Sequence, residues 1–66
     1  MFEYTATLHW DAPTKLYAVE IHGLPDGHLN WTQGSDRAEA QEMAEDLVRI
    51  TQEQAGLEGD YSVRLQ

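Results

Sequence analysis

The feature that most constrains this chain is the alternation in residues 2–10, F-E-Y-T-A-T-L-H-W. Phe2, Tyr4, Ala6, Leu8 and Trp10 fall on one side of an extended chain. Glu3, Thr5, Thr7 and His9 fall on the other. A period of two with apolar and polar sides describes a strand with one face buried and one face wet. A strand of that kind needs partners and a cover, and the rest of the chain must supply both.

Residues 16–22, L-Y-A-V-E-I-H, supply the first partner. Tyr17, Val19 and Ile21 alternate with Ala18, Glu20 and His22. D11-A-P-T-K15 reads as the turn between the two strands, with Pro13 fixing its own φ. Matching the apolar sides sets Trp10 opposite Tyr17, Leu8 opposite Val19 and Ala6 opposite Ile21. A slip of one residue would turn Glu20 into the core, so this register is expected to win.

G23-L-P-D-G27 reads as a second turn. Residues 28–33 are expected to form a third strand with Leu29 and Trp31 inward and His28, Asn30 and Thr32 outward. Gly34 ends it. Ser35 is expected to cap a helix from about Asp36 to Ala55, with Gly56 at its left-handed end. Ala40, Met43, Ala44, Leu47, Val48 and Ile50 recur at helical spacing and form the expected buried stripe. At 1.5 Å per residue this helix would span about 30 Å and overhang the strands. Residues 60–65 read as a fourth strand with Tyr61, Val63 and Leu65 on one face. The expected fold is therefore α+β, in the order β-β-β-α-β. It is a small, mostly antiparallel sheet with one long helix on one face. A right-handed crossover would set the fourth strand beside the first and parallel to it.

Sixty-six residues leave room for one domain. So short a chain buries a limited core, and with no Cys it has no disulfide to staple it. Self-association is the staple that remains, so a homo-dimer or higher homo-oligomer is expected. No secretory segment or membrane span is legible, and the expected address is the cytoplasm of a bacterium or of a phage-infected cell. Four Lys and Arg against 12 Asp and Glu give a net charge of -8. That charge repels a phosphate backbone or an anionic membrane and attracts a basic protein.

Residue patterns for catalysis are missing. His9, His22 and His28 are spread along the polar side. His9 and His22 would lie about 13 Å apart, too far to share a metal, while His22 and His28 flank a turn and with Asp26 would make at best a weak surface site. The β-β-β-α-β order is that of part of a ribonuclease H sheet, whose two-metal chemistry needs an acid central on the first strand. Here that position offers Thr5, Ala6 and Thr7. Glu39, Glu42, Glu45 and Asp46 are expected on the solvent side of the helix, with Glu45 paired to Arg49. No Ser sits in a nucleophile elbow, and the glycines do not cradle phosphate. The expectation is a chain that is not an enzyme, with no cofactor and no metal. The aromatics remain: Tyr4 and Trp31 are assigned to the core, and Trp10 to either core or contact.

Taken in order, several short motifs resemble the HicB antitoxin family. They are Tyr4, Ala6 and Leu8 on the first strand, and Tyr17, Val19 and Ile21 on the second. Leu24 and Pro25 follow in a turn, then Thr32, Gln33 and Gly34, and a helix opening with Glu39 and Ala40. The resemblance covers nearly the whole chain. It departs from the family at Asp26, where Gly usually follows the L-P pair, and in a longer step to T-Q-G. The DNA-binding extension of many members is not expected either, so a repressor role is not carried over.

The resemblance implies a partial ribonuclease H-like fold without the nuclease acids. It also implies neutralisation of a small basic RNA-cleaving toxin of the HicA type. On that view Trp10, Glu39, Glu42 and Asp46 are the candidate partner-binding residues. The alternatives are an acidic inhibitor or mimic that blocks another nucleic-acid-binding protein, and an orphan domain that only oligomerises.

Overall fold

A computed structural model describes residues 1–66. Strands β1 (Phe2–Asp11), β2 (Leu16–His22) and β3 (Trp31–Gly34) precede helix α1 (Arg37–Ala55) and strand β4 (Tyr61–Leu65). The four strands form one sheet in the order β3-β2-β1-β4. The pairs β1–β2 and β2–β3 are antiparallel, and β1–β4 is parallel. This is the expected α+β architecture, with the fourth strand beside the first.

The register of β1 on β2 is the one that apolar matching requires. Ala6 faces Ile21, Leu8 faces Val19 and Trp10 faces Tyr17. The turn at 12–15 closes with Lys15 in the left-handed region at φ 57 and its N–H on the Asp11 carbonyl. The Thr14 hydroxyl donates to the Asp11 carboxylate at 2.6 Å.

Tyr4, Ala6, Val19, Ile21 and Val63 from the sheet meet Ala40, Ala44 and Val48 from the helix in one buried core. Phe2, Leu8, Leu24, Leu47, Tyr61 and Leu65 pack around it half-buried. The helix can lie close because its contact row begins with Ala40 and Ala44, and because Ala6 and Gly34 are the small residues of the sheet beneath. A Cβ placed on Gly34 would sit 2.5 Å from the Ala40 nitrogen and 2.7 Å from its Cα. The first turns of α1 therefore rest directly on the backbone of β3.

That contact corrects the expected orientation of β3. Gly34 pairs with Tyr17 and Thr32 with Val19, so both lie on the helix side, and Trp31 pairs with Glu20 on the other. Trp31 is not a core residue: it is 51 % exposed, and Leu29 is 58 % exposed. The expected parity of the strand is inverted by one residue, and each side chain changes face as a result. The strand also starts later than expected, at Trp31, although the Ile21 N–H still reaches the Asn30 carbonyl at 2.7 Å.

The helix carries two further corrections. Its N-cap is Asp36, not Ser35. The Asp36 carboxylate accepts from the Glu39 N–H at 2.8 Å, and the Glu39 carboxylate accepts from the Ser35 N–H at 2.9 Å. Asp36 and Glu39 have the three-residue spacing of a capping box, which Ser35 lacks, although the Glu39 carboxylate takes the N–H of Ser35 and not that of the cap itself, and two carboxylates suit the positive end of the helix. The buried row is Ala40, Ala44, Val48, Thr51 and Gln52, while Met43 and Ile50 are exposed. The stripe is thus rotated toward the 40–44–48 line. The far end is as expected. Gly56 sits at φ 72, its N–H reaches the Glu53 carbonyl, and the Leu57 N–H reaches Gln52. This is the Schellman pattern that satisfies the last carbonyls.

Two stability measurements follow from this packing. Gly34→Ala drives a methyl group into the helix backbone and is expected to lower unfolding free energy in urea by about 1–3 kcal/mol. Gln52 is buried with neither side-chain polar atom hydrogen-bonded. Gln52→Met keeps the length of the side chain and removes both orphaned groups. It is expected to raise stability by about 1–3 kcal/mol in the same assay.

Candidate functional site

The predicted contact residues do not form one patch around Trp10. Trp10 keeps the inward parity of β1 but is 55 % exposed, and its ring packs edge-on against Tyr17 with centroids 5.1 Å apart. Glu42 and Asp46 are exposed on the helix, away from its buried row. Asp46 is 3.8 Å from Arg49, which also reaches Glu53 at 3.5 Å. The expected Glu45–Arg49 pair is therefore replaced. Glu45 instead accepts from Gln41 Nε2 at 3.0 Å, and Gln41 leans toward β4, where it also donates to the Val63 carbonyl at 2.9 Å. Glu39 is partly committed to the cap.

The structure brings Glu39 together with residues that sequence reasoning had placed elsewhere. Leu29, Trp31, Gln33, Met43 and Glu39 line a shallow depression along β3, between its open edge and the flank of α1. Leu16 and the small Gly34 complete its floor. Leu29, Trp31 and Met43 are large, apolar and exposed. Trp and Met are favoured in the centres of protein contacts, and exposed apolar side chains that cluster mark interaction surfaces. Glu39 is the one carboxylate in its lining, and Glu42 and Asp46 are exposed farther round the same helix. The signal that would have found the patch is Gly34. A glycine immediately before a helix that must pack closely has to face that helix, and Trp31, three residues earlier, must then face away.

His22 and His28 line a shallow depression at the 23–27 turn together with Asp26, and His9 lies apart from them. His22 Nε2 lies 2.9 Å from the Thr7 hydroxyl and 3.7 Å from the Glu20 carboxylate, both on the sheet face away from the helix. No group of three or more His, Asp or Glu side chains is placed to hold a metal ion. A second depression, at the β4 edge, is lined by Arg37, Gln41, Val63 and Arg64. Two of the chain's four cations thus collect at the edge opposite the acidic one. No helix is long and apolar enough to cross a membrane.

No family model matches this chain, and neither the curated proteins nor the solved structures contain a detectable match.

The reversed parity of β3 makes a direct prediction. Truncating a core Trp costs about 3–5 kcal/mol. Trp31→Thr is expected to change stability by no more than about 0.5 kcal/mol, as at a surface site. Urea unfolding of the two proteins measures the difference.

Proposed function

We propose that this chain is a protein-binding module without enzymatic activity, a HicB-like antitoxin that neutralises a small basic RNA-cleaving protein of the HicA type. The observation that carries the reading is the exposed apolar patch of Leu29, Trp31 and Met43 set beside the Glu39 carboxylate of the acidic helix α1. An apolar centre with a charged rim is the anatomy of a specific protein interface. The sign of the rim selects the partner, because a net charge of -8 speeds encounter with a cation-rich surface and discourages nucleic acid. The ordered motifs described above add the antitoxin family to that physical reading. The β-β-β-α-β order, with Thr5, Ala6 and Thr7 where a nuclease would need an acid, is compatible with it.

The reading assigns two kinds of work. The exposed helix acids Glu42 and Asp46 steer the partner, and Glu39 contributes what its capping role leaves free. Trp31 and its apolar neighbours hold the partner once it arrives. Trp10 belongs to a separate aromatic pair with Tyr17 and is a secondary contact. A second reading, an acidic mimic blocking another nucleic-acid-binding protein, uses the same carboxylates but relies on charge alone. The exposed Trp31 favours the first, because a purely electrostatic mimic has no need of it.

Affinity capture from the native host, at low and at high salt, is the deciding experiment. A stoichiometric small basic protein is expected, retained at high salt, whose RNA cleavage the chain suppresses at equimolar amounts. Glu42→Lys with Asp46→Lys is expected to weaken that complex by at least about tenfold at low salt, mainly through a slower association rate. Recovery of the chain's own copies alone would overturn the antitoxin reading.

A further inference from the structure

The two edges of the sheet are not equivalent. In the β2–β3 register the Ile21 N–H bonds the Asn30 carbonyl, so Asn30, Thr32 and Gly34 turn their main-chain groups toward β2. Antiparallel ladders alternate, so Trp31 and Gln33 turn their N–H and C=O groups outward. No side chain covers them. At the β4 edge, by contrast, the outward carbonyl of Val63 accepts from Gln41 Nε2. Natural sheets blunt their edges against strand addition, and here the β4 edge has one outward carbonyl occupied while the β3 edge has none.

The open edge is also chemically one-sided. Glu20 pairs with Trp31 and offers a carboxylate on the sheet face away from the helix, and Glu39 offers one on the helix side. Arg37 and Arg64 lie at the other edge, Arg49 is engaged by Asp46 and Glu53, and Lys15, in the β1–β2 turn next to Leu16, is the one cation near this end of the depression. We infer that the β3 edge is a strand-addition site for an extended, Lys- or Arg-rich segment of a basic protein partner. The inference rests on the proposed binding of a basic protein and names how that partner docks.

The added strand exchanges main-chain hydrogen bonds with Trp31 and Gln33. Its alternate side chains fall on the two faces, where cations meet Glu20 and Glu39 and an apolar side chain meets Trp31 or Met43. A second copy of this chain is a poor occupant. Each copy carries a net charge of -8, so pairing two copies at this edge sets like charge against like charge, whereas a cation-rich segment does not.

The test uses the full chain and a synthetic peptide that alternates Lys with Val and Phe. Its counterpart is methylated at every internal amide nitrogen, which keeps the charge and the side chains but removes the main-chain donors. The parent peptide is expected to bind and to slow hydrogen exchange at the Trp31 and Gln33 amides. The methylated peptide is expected to bind at least about tenfold more weakly. Gln33→Pro removes one outward N–H while sparing the bonds of Thr32 and Gly34 to β2, and is expected to produce a comparable loss.

Equal binding of the methylated peptide to the unaltered chain overturns strand addition whether or not the proline variant folds. So does protection confined to the helix acids, although in that case binding of a basic partner stands. Trp31 and Gln33 amides already protected in the free chain, in proportion to its concentration, would put a second copy at the edge and overturn the inference. Failure of both peptides to bind overturns it as well, and the antitoxin reading then stands or falls on the RNA-cleavage assay alone.

Discussion

Everything in this structure depends on the close seat of α1 on β3. The helix backbone at Ala40 comes so near to Gly34 that a single methyl group would collide with it. Ala6, Ala40 and Ala44 extend the same economy of size, each fully buried. A chain of 66 residues has few large side chains with which to fill a thick core. Bringing the layers together over small residues lets Val19, Ile21, Val48 and Val63 meet in one buried cluster. At the margin of this core Gln52 is buried without a partner for its amide.

The same contact sets the surface. Because Gly34 must face the helix, the pleat turns Thr32 inward and Trp31 and Gln33 outward. A tryptophan that hydrophobicity alone would bury is thereby displayed beside Leu29 and next to the Met43 flank. The polarity of the sheet's far face is correspondingly mixed: Thr7 and His22 share a hydrogen bond at its centre with the Glu20 carboxylate close by, and Trp31 stands at its edge. A structural requirement at one glycine has produced an apolar, interaction-ready strip several residues away in sequence. Its charge asymmetry follows from where the few cations lie, two of them at the opposite edge.

Most of the fold was legible because its signals are redundant. The β1–β2 register has three apolar pairs that agree and one Glu20 that would be buried by a slip. The helix has a capping pair at one end and Gly56 at the other. The parallel placement of β4 follows from a long crossover. Where the sequence misled, only one weak signal was at work. In β3 the alternation of Leu29 and Trp31 was read as a buried face, although a short edge strand has too few residues to vote. In α1, Met43 and Ile50 have the right hydrophobicity but lie on the shoulder of the helix, while Thr51 and Gln52 are buried by geometry. Ser35 looked like a cap by composition, and Asp36 won because it has Glu39 at the capping-box distance.

The candidate site was less legible than the fold for a related reason. Charge is visible in a sequence without any structure, so the acidic face of α1 could be named residue by residue. Which apolar side chains are left uncovered is a difference between what must be buried and what the neighbours can cover, and it is settled only when the layers are assembled. Trp10 and Trp31 are alike in composition and opposite in circumstance. Trp10 points to the helix side of the sheet and finds Tyr17, whereas Trp31 points away and finds no aromatic partner. An exposed tryptophan with no aromatic partner, on a strand whose outward main-chain groups are also uncovered, couples two unsatisfied surfaces at one place. A partner that satisfied only the side chain would leave the edge open, and one that satisfied only the main chain would leave the indole wet. An extended segment with alternating side chains meets both demands at once, and the carboxylates on either face of the strand decide that its charge is positive.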